Sequence, residues 1–178
     1  NIDEEQIIDN EQTIIGLFDP EENDFTMNIW VESDGNDIKK VFNRINKLKL
    51  SKFSEDLLFK VLFTNAYPPK KNLNPKEFAK IKIDWLIKNN RLEDLEKLIV
   101  TNPKLGKETK AIKILINESL ASGDIKSACE KTDVLEKSVE NNYLEKFKIY
   151  CLILNKREEE ALLVFDILKE RGFKDKFF

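Results

Sequence analysis

Histidine is missing from this sequence of 178 residues, and cysteine occurs only twice, at Cys129 and Cys151. Without histidine, the chain cannot supply the base of a Ser-His-Asp or Cys-His site or an imidazole ligand for a metal. Two cysteines cannot form a four-cysteine zinc site within one chain. We therefore predict a protein that is not an enzyme and that has no metal site and no cofactor.

Glycine and proline are also scarce, with five of each. An all-β protein needs many tight turns, and those turns depend on these two residue types. No apolar run approaches the roughly 18 to 20 residues that a membrane-spanning helix requires. The composition therefore predicts an all-α fold without a membrane span.

Charge is nearly balanced, with 33 acidic and 30 basic residues spread along the whole chain. A nucleic-acid partner normally requires concentrated positive charge, and arginine is the side chain best suited to phosphates and bases. Arginine occurs only at Arg44, Arg91, Arg157 and Arg171. We therefore predict no nucleic-acid partner.

The first 33 residues differ from the rest of the chain. An acidic and irregular stretch, "DPEENDFTMNIWVESDGND", contains Met27, Ile29 and Trp30 as its apolar anchors. We predict that residues 1–33 form an irregular N-terminal arm, which lays Trp30 against a helical repeat domain over residues 34–178.

From Asp34 onward, apolar residues recur at helical spacing. Ser54 is expected to cap one helix, whereas Asn74, Pro75 and Glu77 have the spacing of a capping box. Because the connections are short, we expect successive helices to form antiparallel hairpins. The later helices are predicted in "LEDLEKLIVTNP", "KETKAIKILINESLAS", "DIKSACEKTDVLEKSV", "YLEKFKIYCLILNK" and "EEEALLVFDILKERG".

Three turn regions align at a spacing of 33 residues. Asn90, Gly123 and Lys156 coincide at the turn, and a small or apolar residue follows five positions later at Leu95, Ala128 and Ala161. Over about residues 76–171 this pattern resembles the tetratricopeptide family of helical-hairpin repeats. The chain departs from that pattern at Leu95, which is large, and at Lys156, where the family commonly has glycine. The resemblance implies stacked hairpins in a short α-solenoid whose concave surface holds peptides or helices.

A second resemblance covers nearly the whole chain. The order of "GLFDPEENDFTMNIW", "YPP", "GDIKSAC", "YC" and "LKERGFKDKFF" is similar to that of uncharacterised exported proteins of alphaproteobacteria. It implies a periplasmic or otherwise exported protein, with a cytoplasmic location as the alternative. Because the chain starts at Asn1, we expect a preceding segment to have been removed, and an export signal could have been part of it.

The two cysteines lie about ten residues to either side of the predicted turn at 140–142. At about 1.5 Å rise per residue, Cys129 and Cys151 reach similar heights on two neighbouring helices. In an oxidising compartment they would form a disulfide. A pair of small, buried free thiols fits the sequence equally well.

Two functional hypotheses follow from the sequence. The first is a non-catalytic helical-repeat module that binds a protein or peptide partner through the first helix of each hairpin. The second is a structural or assembly subunit of a cell-envelope complex, which docks through Met27, Ile29 and Trp30. The sequence makes no prediction of the oligomeric state. The candidate residues of the first hypothesis are Lys82, Asn89, Lys113, Asn117, Lys146 and Tyr150.

Overall fold

The computed structural model of the protein describes residues 14–135 and 140–173, and its regular structure is helical. The all-α prediction is confirmed for these residues, which form no strand and contribute two isolated β-bridges. None of the helices formed by them is long and apolar enough to cross a membrane. The helices are α1 Gly35–Ile45, α2 Lys52–Phe63, α3 Pro75–Lys88, α4 Leu92–Thr101, α5 Thr109–Ala121, α6 Ile125–Glu130, α7 Asn142–Leu154 and α8 Glu158–Glu170, with 3₁₀ turns at Glu21–Asn23 and Pro103–Lys107.

The chain divides into two compact units, one ending at Thr101 and the other starting at Asn102. This division falls inside the segment 34–178 that we predicted as one repeat domain. In the first unit α3 packs against α4, and in the second α5 packs against α6, α6 against α7 and α7 against α8. The stacking of the hairpins into a solenoid stays a prediction.

In the first unit, the N-terminal segment runs alongside the connection between α2 and α3. Both of the isolated β-bridges join these two stretches in the parallel sense. The shortest backbone hydrogen bonds between them run from Leu17 to Phe63 (2.7 Å), from Asn65 to Phe18 (2.9 Å), from Tyr67 to Met27 (2.8 Å) and from Gly35 to Lys71 (2.8 Å).

Aromatic side chains form much of the core of the first unit. The Trp30 ring lies 5.5 Å from the Phe78 ring in an edge arrangement, as expected from a tryptophan laid on the helices. Phe59 and Trp85 stack with ring centroids 5.9 Å apart, and the Arg91 guanidinium lies 3.5 Å from the centre of the Phe59 ring. Such ring contacts add about 0.5–1.5 kcal/mol each to the free energy of burial.

One of the two predicted helix caps is confirmed and the other is wrong. The capping box of Asn74 and Glu77 is formed, and Asp34 caps α1 by accepting a hydrogen bond from the Asn36 amide at 2.8 Å. The prediction for Ser54 is wrong, because Ser51 accepts a hydrogen bond from the Ser54 amide and thereby caps α2. Both serines suit a helix start, and the helix takes the earlier one.

Helix α6 is shorter than predicted, since it covers six residues, Ile125–Glu130. Thr132 is buried and turns its hydroxyl back onto the Cys129 carbonyl at 2.7 Å, and turns continue to Leu135. The remainder of that predicted helix, residues 136–139, lies outside the described residues. So do residues 1–13 of the predicted arm and the last five residues of the terminal "LKERGFKDKFF" pattern.

The three aligned turns share one backbone geometry. Asn90, Gly123 and Lys156 have φ of 51°, 78° and 59°, all in the left-handed region. In each turn, the next residue donates its amide hydrogen to a carbonyl five positions earlier, as in a Schellman helix ending. These 2.9 Å hydrogen bonds run from Arg91 to Leu86, from Asp124 to Ser119 and from Arg157 to Leu152.

A substitution at Gly16 tests how closely the N-terminal segment approaches the end of α2. A Cβ atom at this position would lie 2.5 Å from Oδ1 of Asn65 and 2.7 Å from the Phe63 carbonyl oxygen. We expect Gly16→Ala to destabilise the first unit by about 2 kcal/mol, because overpacking against backbone cannot relax. Hydrogen exchange of the Leu17 and Asn65 amides, measured by NMR, should accelerate with it.

The comparison variant is Gly123→Ala in the second unit, where an added Cβ meets no atom within 4 Å and only the positive φ is unfavourable. It should leave exchange of the Leu17 and Asn65 amides unchanged. Unchanged exchange of these amides in Gly16→Ala would contradict the close approach of the segment.

Candidate functional site

The two cysteines form a disulfide between α6 and α7. The Cα atoms of Cys129 and Cys151 lie 5.4 Å apart, and both side chains are buried. The prediction of a disulfide is confirmed, and the alternative of free thiols is dropped. The bond ties together two helices that are connected through the segment 131–141.

A cavity of about 250 Å³ lies beside the disulfide, and both cysteines line it. Its charged side chains are of both signs, with Lys126, Lys148 and Arg157 opposed by Glu130 and Asp133. Arg157 is already bound to Glu160 by two hydrogen bonds of 2.6 Å, which raise its pKa above the ordinary range. Such a mixed lining selects no ligand of one charge, so we assign the disulfide a structural role.

The predicted site residues Lys113 and Asn117, both on α5, contact the next helix pair. The Tyr143 hydroxyl of α7 donates a hydrogen bond to Oδ1 of Asn117 at 2.7 Å. The Lys113 ammonium lies 5.2 Å from the centre of the Tyr143 ring. These two side chains therefore hold α7 against α5.

Lys82 on α3 lies inside the first unit, although we predicted it at a solvent-open surface. Its side chain is 1% exposed, and its ammonium group donates a hydrogen bond to the Ile15 carbonyl and lies 4.8 Å from the centre of the Phe78 ring. Burial lowers the pKa of Lys82 from 10.5 to about 7, since a charged amine is poorly solvated there. Lys82 therefore lines no open groove, and this part of the prediction is corrected.

The remaining first-helix candidates are spread over both units. Asn89 ends α3, where its side-chain amide donates to the Trp85 carbonyl at 2.8 Å. The Lys146 ammonium on α7 lies 5.6 Å from the Phe173 ring. Tyr150, also on α7, is 43% exposed and stacks on Phe147. Tyr150 is the one aromatic side chain among the six predicted first-helix residues, and its ring is exposed.

The predicted apolar loop packs onto the first unit. Met27, Ile29 and Trp30 are all partly buried, and the backbone of Met27 is bonded to Tyr67. The indole nitrogen of Trp30 is buried with no hydrogen-bond partner among residues 14–135 and 140–173. The Trp30 ring, which the second hypothesis assigned to a partner, is therefore held by Phe78, and the side chains of Met27 and Ile29 are partly covered.

Sequence reasoning missed an apolar groove between α7 and α8, with a volume of about 340 Å³. Ile153 is 51% exposed and Leu162 61% exposed, so neither side chain is covered in the way a core residue would be. Leucine and isoleucine at such positions usually mark a contact surface when they are contiguous. We call this surface the α7–α8 groove, and it is lined by Ile149, Ile153, Glu158, Ala161, Leu162 and Phe165.

The signal for this groove was present in the sequence as an excess of apolar residues. Helix α8 contains the pair Leu162–Leu163 and α7 the pair Ile153–Leu154, and each pair spans more of the helix circumference than one buried stripe requires. In the described ranges, no three acidic or cysteine side chains come together as metal ligands. We therefore take the α7–α8 groove, and no metal centre, as the candidate site.

The disulfide should stabilise the second unit through the unfolded chain. Cys129 and Cys151 are 22 positions apart. Closing a loop of this length lowers the entropy of the unfolded chain, which stabilises the folded state by about 3 kcal/mol. After reduction by dithiothreitol, we expect the free energy of unfolding to fall by that amount, as measured by urea unfolding monitored by circular dichroism. The double variant Cys129→Ala/Cys151→Ala controls for direct effects of the reductant, and an equal response in both proteins would contradict the prediction.

Lys82 should make the stability of the first unit depend on pH. Because its folded-state pKa is near 7 and its unfolded-state pKa near 10.5, the unfolded chain binds more protons between these values. Stability contributed by this group is therefore lowest below pH 7 and rises toward pH 10.5, by about 5 kcal/mol. Lys82→Met should remove this rise in the free energy of unfolding.

The matched control is Lys76→Met, which replaces an exposed lysine of the same helix. This variant should keep the pH dependence of the native protein. In Lys82→Met, the free energy of unfolding should depend less on pH and should be higher than that of the native protein near pH 6. A parallel pH dependence in Lys82→Met and the native protein would refute the role of the buried amine.

Comparison of the chain with models of protein families, with curated proteins and with solved structures gave no match. The resemblances to tetratricopeptide repeats and to exported alphaproteobacterial proteins therefore stay predictions. The assignment of a function rests on the geometry of the chain itself.

Proposed function

We propose that the chain is a non-catalytic helical module that binds a protein or peptide partner and that the α7–α8 groove is the contact surface. The observation that carries this proposal is the exposure of Ile153 and Leu162 on one continuous groove. Pockets that hold small ligands usually have volumes of about 300–1,000 Å³, and the α7–α8 groove is of comparable size.

The energetics of the groove favour a bound partner. Full burial of an isoleucine or leucine side chain stabilises a complex by about 1.5–3 kcal/mol relative to exposure. Ile153 and Leu162 are each more than half exposed, so a partner that covers both gains about 2 kcal/mol or more from these two residues. The half-buried Phe165 extends the same apolar surface.

The disulfide supports an exported protein. Disulfides form and persist in oxidising compartments, including the bacterial periplasm, and are rare in the cytosol. The Cys129–Cys151 bond fits that environment. We therefore propose a periplasmic or otherwise exported location for the binding module.

The alternative of a structural or assembly subunit that docks through Met27, Ile29 and Trp30 has less support. Trp30 packs on Phe78, so a partner would have to displace it from the first unit. The α7–α8 groove is open without any such rearrangement. We therefore place partner binding at the groove.

Affinity purification from the native organism, followed by quantitative mass spectrometry, tests this function. We expect Leu162→Lys to reduce the captured partner about tenfold or more, because a charged side chain is costly to bury in an apolar contact. Leu163→Lys is the matched control, since Leu163 is 62% exposed and does not line the groove. Capture that is equal in Leu162→Lys and Leu163→Lys, or the absence of any specific partner, would reject the proposal.

A further inference from the structure

The hairpin that precedes the α7–α8 groove has an equivalent surface. Shifting the groove residues back by 33 positions leads to Ile116 and Leu120 on α5 and to Ala128 and Cys129 on α6. Both hairpins have the same left-handed turn between their helices, at Gly123 and at Lys156. Corresponding positions therefore fall on corresponding faces of the two hairpins.

On this earlier hairpin the surface is covered by a helix of the same chain. Helix α7 is bonded to α6 through the Cys129–Cys151 disulfide and to α5 through the hydrogen bond from Tyr143 to Asn117. As a result Cys129 is 7% exposed, whereas its counterpart Leu162 is 61% exposed. The difference between the two hairpins is the presence of a covering helix.

We propose that the α7–α8 groove binds an amphipathic α-helix of a partner protein, placed as α7 is placed on the α5–α6 hairpin. This proposal rests on the function proposed above and specifies the partner of the same groove. The side chains that would meet the helix are the counterparts of those that meet α7. Leu162 replaces Cys129, Tyr150 replaces Asn117, and Lys146 replaces Lys113.

The charge at one end of the groove specifies the partner further. Glu158 lines the groove where Ile125 stands in the earlier hairpin. Within the described ranges its carboxylate has no ion pair, so its charge is available to a ligand. Ile125 lines the cavity beside the disulfide, and Asn155 at the end of α7 lines that cavity too. A partner helix should therefore have lysine or arginine at the position that corresponds to Asn155.

A peptide with the sequence of residues 141–157 is the probe, because it contains α7 and the cysteine that meets α6. The peptide has lysine in place of Asn155, and the protein is the full chain with Leu162→Cys. Incubation with oxidised glutathione allows the two thiols to form a disulfide. The glutathione disulfide accepts two electrons and two protons and leaves as two glutathione thiols. Intact mass spectrometry measures the fraction of protein joined to peptide.

We expect the joined fraction to be at least about tenfold larger with Leu162→Cys than with Leu163→Cys, because a docked helix raises the local concentration of its thiol. The two leucines are adjacent and equally exposed, which makes Leu163 a close control. A peptide with glutamate in place of Asn155 should join less well, and adding Glu158→Gln to the protein should remove that difference. Equal joining at both cysteines would overturn the proposal.

Sedimentation equilibrium distinguishes a second copy of the chain from a separate partner. If the wild type dimerises and Leu162→Lys makes it monomeric, the groove is occupied by another copy and the proposal is overturned. A monomeric wild type supports it. If a partner is captured in a way that depends on Leu162 but the peptide does not form the disulfide, the proposed function is kept and the helical nature of the partner is rejected. Selective joining without a captured partner would keep the helix site and reject the function.

Discussion

Each helical hairpin at these turns depends on one residue in the left-handed conformation. At Asn90, Gly123 and Lys156 this conformation lets the next amide close back on the preceding helix, so that the second helix starts at once and returns along the first. For Lys156 the conformation costs about 1 kcal/mol relative to glycine. Burial of Leu152, Ala161 and Leu168 between α7 and α8 offsets that cost.

The shared turn gives the two hairpins of the second unit comparable faces, and their side chains differ in an informative way. The covered face has small or polar residues at the contact, with Cys129 and Thr132 both buried and both bonded. The open face has Leu162 and Phe165 at the corresponding positions. If the open face were permanently solvated, the polar residues would be expected there instead. At these two positions the inversion favours a partner for the open face, whereas at a third position the open face has Glu158 where the covered face has Ile125.

The sequence predicted features that depend on local chemistry, and it failed where distant segments meet. The capping box at Asn74 follows from residue type and spacing and was predicted, as were the positions of the three turns, although Lys156 stood as a departure from the glycine that is usual there. The burial of Lys82 was missed because helical periodicity places this residue without revealing what covers it, and its partner is the backbone of Ile15, 67 positions away. The groove was missed because the spacing of apolar residues does not show whether another helix covers Leu162. The early end of α6 was also missed, and it lies next to the buried Thr132, whose hydroxyl bonds to the Cys129 carbonyl.

In the first unit, the N-terminal segment covers a face of α3. Partner binding was predicted on that face, so the expected binding site lies elsewhere. Gly16 allows the backbone to approach Phe63 closely enough for the Ile15 carbonyl to reach Lys82. That contact covers the face of α3 on which we predicted partner binding. In the second unit, Lys113 and Asn117 are held by Tyr143 in the same way. Of the first-helix candidates, Tyr150 keeps an exposed aromatic ring, because α7 belongs to a hairpin that no described segment covers in the way α7 covers α5 and α6.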